Sequence, residues 1–314
     1  MKESEIIIVD GISEEQYYDI VEDSVKYAII SAPFTYNRMH KEKITQQILN
    51  IAKGKIAEGL FLTFCKANNI PADEKPCTTG FWTPDKRDFK MNDKAWDIKN
   101  NFYNSPSDLY QGNYIDFPAL VPKDQWASKD DKRKLPEHTD ESAFVFTFMR
   151  KTNTNYQNFF LSININDAQV DFLDKKNETY HGMGLSEQPY SETDFWPQFD
   201  SLGDSNTKLF TLSYLPILII TSYACKDQWG LFEYTGPNEP NNLHDYLSPS
   251  WYNKKTCYSQ KTKKEYIILN FLNGSICPTF PNATCPVAKL PSFLSLFPHL
   301  KDEIKLGYIK SSDE

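Results

Sequence analysis

The stretch from Thr83 to Asn101, TPDKRDFKMNDKAWDIKNN, limits the folds open to this chain more than any other segment. Asn92-Asp93 sits between two short segments in which polar and apolar residues alternate, the pattern of a hairpin closed by a two-residue turn. If the turn sets Met91 opposite Lys94, Asp88 faces Asp97 and Phe89 faces Trp96 across the ladder. One face then carries Asp88, Lys90, Asp97 and Lys99, and the other carries Phe89, Met91, Trp96 and Ile98. The apolar face suits a core, and the charged face suits the wall of a cleft.

Directly opposed residues hold their Cβ atoms about 4.5–5.5 Å apart, so two like charges there are destabilising unless something compensates. A hard divalent cation is the natural compensation, because Mg²⁺ takes oxygens from one or two carboxylates and keeps several waters. Lys99, two residues beyond Asp97 on the same face, is placed to orient or deprotonate a water in such a site. The acid-x-Lys pattern alone is weak. It occurs six times, at Asp73/Lys75, Asp88/Lys90, Asp97/Lys99, Asp130/Lys132, Asp174/Lys176 and Glu303/Lys305. Only Asp97/Lys99 lies in an alternating strand with a second carboxylate across a hairpin and an acid-bearing helix upstream. The competing reading is an exposed hairpin with one polar face.

That upstream helix runs from His40 to about Ala67, with Ile44, Ile48, Ile51, Phe61 and Leu62 at helical intervals and Asn68, Asn69 and Pro71 as its stop. Gly54 and Gly59 inside it each cost up to about 1 kcal/mol relative to Ala, so close packing is expected to justify at least one. Runs rich in β-branched and aromatic residues predict strands at 87–91, 95–99, 119–121, 143–149, 159–165, 209–214, 217–223 and 266–272. Polar stretches rich in Pro and Asn, notably 166–208 and 225–263, read as loops. Residues 1–30 carry eight acids against Lys2 and Lys26 and read as a cap on the outside of the fold.

Composition narrows function mostly by exclusion. The 314 residues carry 34 Lys and Arg against 42 Asp and Glu, a net charge of −8. That balance argues against coating nucleic acid everywhere and leaves room for a local basic cleft. The longest apolar run, Leu215 to Ile220, is far short of the ~20 residues of a membrane span, and the opening MKESEIIIVD lacks the pattern of a signal peptide. Six cysteines, at 65, 77, 225, 257, 277 and 285, are scattered, which favours free thiols and a cytoplasmic location. No G-x-x-x-x-G-K-[ST] loop points to ATP, no G-x-G-x-x-G points to a dinucleotide, and neither H-E-x-x-H nor G-x-S-x-G is present.

Over about residues 41 to 150 the chain resembles the PD-(D/E)XK nuclease superfamily, and within it type II restriction endonucleases. The resemblance is carried by GKIAEGLF in the helix, the strand at Asp88, the hairpin, the DIK tripeptide, and the following runs ALVPKDQW and AFVFTFM. In that family an acid begins the second strand, a D/E-x-K lies on the third, and a helical Glu often completes a metal site. Carried over, these are Asp88, Asp97, Lys99 and Glu58, with Asp at 97 where Glu is commoner. The PD dipeptide itself falls at Pro84-Asp85, which leaves Asp85 as a rival first acid; Asp88 is preferred because it faces Asp97.

The resemblance implies an α/β, restriction-endonuclease-like fold: a mixed central sheet flanked by helices, with a loop-rich C-terminal extension. The corresponding division is an acidic N-terminal cap at 1–40, a nuclease core at 41–165, and core completion plus DNA recognition at 166–314. The implied function is Mg²⁺-dependent hydrolysis of phosphodiester bonds in double-stranded DNA by a sequence-specific homodimer. Asp88 and Asp97 would hold the metal with the Ile98 carbonyl and Glu58, and the products would be a 5′-phosphate and a 3′-hydroxyl. Two alternatives stand beside it: a structure-specific repair or recombination nuclease, and a non-catalytic DNA-binding protein on the same scaffold. For phosphate contacts the favoured cluster is Lys254, Lys255, Lys261, Lys263 and Lys264, ahead of Lys129, Lys132, Arg133 and Lys134.

Overall fold

The computed structural model describes residues 1–34, 43–83, 87–103, 114–122, 142–151, 160–180, 185–203, 208–237, 246–247, 253–260, 264–271, 274–276 and 282–310. In chain order the first elements are β1 (Ile7–Val9), α1 (Glu14–Ser31), α2 (Ile44–Ala67), β2 (Phe89–Met91), β3 (Lys94–Tyr103), β4 (Pro118–Pro122), β5 (Ser142–Lys151) and β6 (Phe160–Asn164). The helices α3 (Asp167–Tyr180) and α4 (Glu192–Ser201) follow, then β7 (Lys208–Ala224), β8 (Glu233–Pro237) and β9 (Tyr246–Leu247). The chain ends with β10 (Asn253–Ser259), β11 (Lys264–Phe271), β12 (Gly274–Ile276), β13 (Asn282–Pro286) and β14 (Gly307–Ile309).

The main sheet runs in the order β14-β1-β7-β5-β3-β2, with β6 pairing a further part of β7. Within it only β3 and β5 pair in parallel, so the sheet is mixed. The sequence of β5 explains why it lies deep in the fold. Phe144, Phe146 and Phe148 enter one buried cluster, while Ala143, Val145 and Met149 enter the other. A strand covered on both faces reads as a nearly continuous apolar run. Helices α1 and α2 supply the second cluster, together with Leu173 of α3 and Phe195 and Phe199 of α4. On the opposite face the three phenylalanines meet Trp229, Phe232 and the small sheet β4-β13-β8-β9. Helices therefore cover one face and a second sheet covers the other.

Several expectations change here. Residues 1–40 are no outer cap, because Ile6–Val9 are buried and β1 lies between β7 and β14. The acids of this segment mask an apolar stripe, Tyr17, Val21, Val25, Ala28 and Ile29, that docks α1 into the core. Ser13 caps α1 in a reciprocal bond pair with Gln16. The stretch 166–208 contains α3 and α4, and 225–263 contains β8, β9 and most of β10. The strands expected at 209–214 and 217–223 are one strand, β7. Pro216 lies where the pairing of β7 with β5 shifts register, between Met149↔Leu218 and Lys151↔Tyr214, an irregularity of the kind that tolerates a missing N–H. No helix among the described residues is long and apolar enough to cross a membrane. Cys65, Cys77, Cys225, Cys257 and Cys285 are free thiols.

The two glycines of α2 separate. A Cβ on Gly59 would lie 2.6 Å from Ile20 Cγ2 on α1, whereas one on Gly54 would meet nothing within 4 Å. Gly59 is the close approach that lets α1 and α2 pack; Gly54 only weakens the helix. Gly54→Ala should therefore raise unfolding stability by roughly 0.5–1 kcal/mol, while Gly59→Ala should lower it. Denaturant midpoints of the two variants check this, and an equal gain for both would contradict the packing assigned to Gly59.

Candidate active site

The site grows out of the β2–β3 turn. Asn92 and Asp93 take φ values of 50° and 59°, the left-handed conformation that both central residues of a type I′ hairpin require. The turn fixes the expected register: Met91 pairs with Lys94, Lys90 with Ala95 and Phe89 with Trp96. The short strand β2 then stops. The Asp88 N–H still donates to Trp96 O at 2.8 Å, but the next donor on β3, the Ile98 N–H, goes to Asp88 Oδ2 at 2.6 Å. A side-chain carboxylate thus stands in for the missing ladder partner. Strand geometry turns the Ile98 carbonyl toward the same edge as its N–H.

Asp97 lies one residue along β3 and is 6% exposed. Lys99 Nζ donates to Asp97 Oδ1, and Arg87 Nη1 lies 3.8 Å from Oδ2. Both cations rest against one ring, with Lys99 Nζ 5.3 Å and the Arg87 guanidinium carbon 5.5 Å from the centroid of Phe144. Glu58 arrives from α2, paired with Lys55 at 2.6 Å, and the Lys55 ammonium sits 5.0 Å from the Tyr27 ring centroid. A cavity of about 360 Å³ is lined by Glu58, Asp88, Arg87, Lys55 and Tyr27, among others.

Electrostatics mark Asp88. Burial pushes its carboxyl well above the ordinary aspartate range, and the negative charges of Glu58 and Asp97 push it further; Lys99 and the Ile98 N–H act the other way. Three carboxylates therefore lie in one another's field at a sheet edge, and all offer hard oxygen donors. Among the described residues no group of three or more His, Cys, Asp or Glu could by itself hold a metal ion. A cation here would lean on one or two carboxylates and on water, a division that suits Mg²⁺.

Asp88, Asp97, Lys99, Ile98 and Glu58 thus come together, as the sequence pattern anticipates. Asp85 lies outside the described residues. The favoured lysine cluster does not join this site. Lys254, Lys255 and Lys264 belong to the three-stranded sheet β10-β11-β12, where Lys255 is exposed, and Lys261 and Lys263 lie outside the described residues. Sequence reasoning missed Arg87. Alternation would put it on the apolar face with Phe89, but Arg87 precedes the ladder, where alternation no longer binds it. Comparison with family models, curated proteins and solved structures returned no match to this chain.

The raised Asp88 carboxyl has a consequence for stability in metal-free buffer. A folded-state pKa above the unfolded value of about 4 means that folding takes up a proton, so stability falls as pH rises through that window. Asp88→Asn removes this dependence, while its carboxamide oxygen can still accept the Ile98 N–H. In chelating buffer the variant should be more stable than wild type at pH 8, and the gap should close toward pH 4. Thermal melts across that range test it; a gap independent of pH would contradict the charge assignment.

Proposed function

We propose that this protein is a metal-dependent endonuclease that hydrolyses DNA phosphodiester bonds, working as a sequence-specific restriction enzyme on double-stranded DNA. The observation that carries the reading is the hairpin register, which sets Asp88 and Asp97 at one sheet edge with Lys99 bonded to Asp97 and Glu58 brought in from α2. Strongly perturbed carboxyls beside a cavity are a mark of functional sites. A homodimer would match a symmetric DNA site.

Each side chain has a chemical part in this reading. A divalent cation held by Asp88 and Asp97, with the Ile98 carbonyl and Glu58, would supply charge neutralisation at the phosphate and acidify a water. Lys99 is 13% exposed, so its ammonium works in a setting where charge is weakly screened. Asp97 fixes the direction of Lys99 Nζ, which can donate to an attacking water or to a phosphate oxygen and so hold a proton at one place. Asp88 and Glu58 repel anions until positive charge arrives, which ties productive phosphate binding to cation loading. The resemblance implies a 5′-phosphate and a 3′-hydroxyl, with no covalent intermediate.

Purified protein incubated with plasmid and phage DNA plus Mg²⁺ should give discrete fragments, and none in chelator. Asp88→Ala and Asp97→Ala should each abolish cleavage while DNA binding survives. Lys99→Arg keeps the charge but alters reach and cannot lose a proton, so it should lose most activity. Near-wild-type cleavage by either aspartate variant would overturn the assignment. Cleavage confined to branched or flapped substrates would favour a repair nuclease, and binding without cleavage a non-catalytic protein.

A further inference from the structure

Arg87 has no part in the reading above, yet it is the second cation on Asp97. A carboxylate as buried as Asp97 needs compensation. Its two oxygens are served differently. Lys99 makes a true hydrogen bond to Oδ1, whereas Arg87 Nη1 stands 3.8 Å from Oδ2, beyond hydrogen-bond range, so charge rather than directed bonding holds it there. Of the two cations, Arg87 is the one that a competitor can remove. It also has somewhere to go. Its side chain is 26% exposed and lines the cavity that holds Glu58 and Asp88, and its planar fork matches the oxygens of a phosphate.

We propose that Arg87 is a displaceable counter-ion on Asp97, which competes with the divalent cation for that carboxylate and so sets the cation concentration at which the site loads. The inference rests on the metal-site reading of Asp88 and Asp97. Without metal, Arg87 offsets the Asp97 charge and keeps the carboxylates from disrupting the sheet edge. On loading, the cation takes over Oδ2 and the guanidinium swings toward the cavity, where an incoming phosphate is its next partner. Arg87 is then a positioning residue of the site. It leaves the set of arginines that could read guanine.

Mn²⁺ binding to the full-length protein, read from the free-ion paramagnetic resonance signal in the absence of DNA, tests this directly. Arg87→Gln should bind Mn²⁺ roughly fivefold or more tightly than wild type. Arg87→Met, which keeps an aliphatic stem near Phe144, should do the same and serves if the Gln variant folds poorly. Lys90→Gln removes the same charge from an exposed position on β2 and should stay near wild type. A merely structural Arg87 would make its variants bind more weakly. Mn²⁺ affinity unchanged or weakened in both Arg87 variants, with wild-type binding intact and lost in Asp97→Asn, overturns this inference alone. Absence of any Asp97-dependent Mn²⁺ binding in wild type overturns the metal-site reading and the inference with it.

Discussion

The Ile98 N–H donates to the Asp88 carboxylate where β2 stops, at 2.6 Å, and much of the surrounding structure follows from that bond. A longer β2 would satisfy Ile98 with backbone and seal the sheet edge. A shorter hairpin would leave Asp88 in solvent, away from Asp97. Because the ladder stops after Phe89, a carboxylate takes the place of a backbone carbonyl and is drawn among protein groups, next to two other acids. Like charges in such a setting repel strongly. Lys99, Arg87 and Lys55 answer that repulsion one by one, each engaged with a carboxylate of the cluster.

The fold supports this edge from both faces. On one, Phe89 and Trp96 stack at 6.2 Å between ring centroids, and Phe89 meets Phe61 of α2 at 5.3 Å, which ties the hairpin to the helix carrying Glu58. On the other, Phe144 of β5 underlies the Lys99 and Arg87 cations and packs edge-on against Trp229 at 5.3 Å. The parallel pairing of β3 with β5 sets Asp97 opposite Phe144 in register. Aromatic packing thus positions the charged groups, and the close approach at Gly59 sets the seat of α2 one residue from Glu58.

What could be read from sequence was local. The Asn92-Asp93 turn, the period-two alternation and the register of Asp88 against Asp97 depend on neighbours within a dozen residues, and all are present. The stop of α2 at Asn68 follows from its capping chemistry. Long-range pairing was not legible: nothing near Ile7–Val9 says that this strand sits between β7 and β14. In α1 the exposed acids outweighed the apolar stripe, and in β7 the proline split one strand into two. Arg87 escaped because it stands one residue outside the ladder, where its direction is set by Asp97 and Phe144 rather than by strand parity.

The central claim is that Asp88 and Asp97 share a divalent cation, and anomalous diffraction from crystals soaked in Mn²⁺ addresses it most directly. The account predicts one strong anomalous peak at the sheet edge, within coordinating reach of a carboxylate oxygen from each aspartate, with Lys99 still directed at Asp97. A peak at some other set of side chains, or no peak with both carboxylates still closed by their present partners, would contradict it.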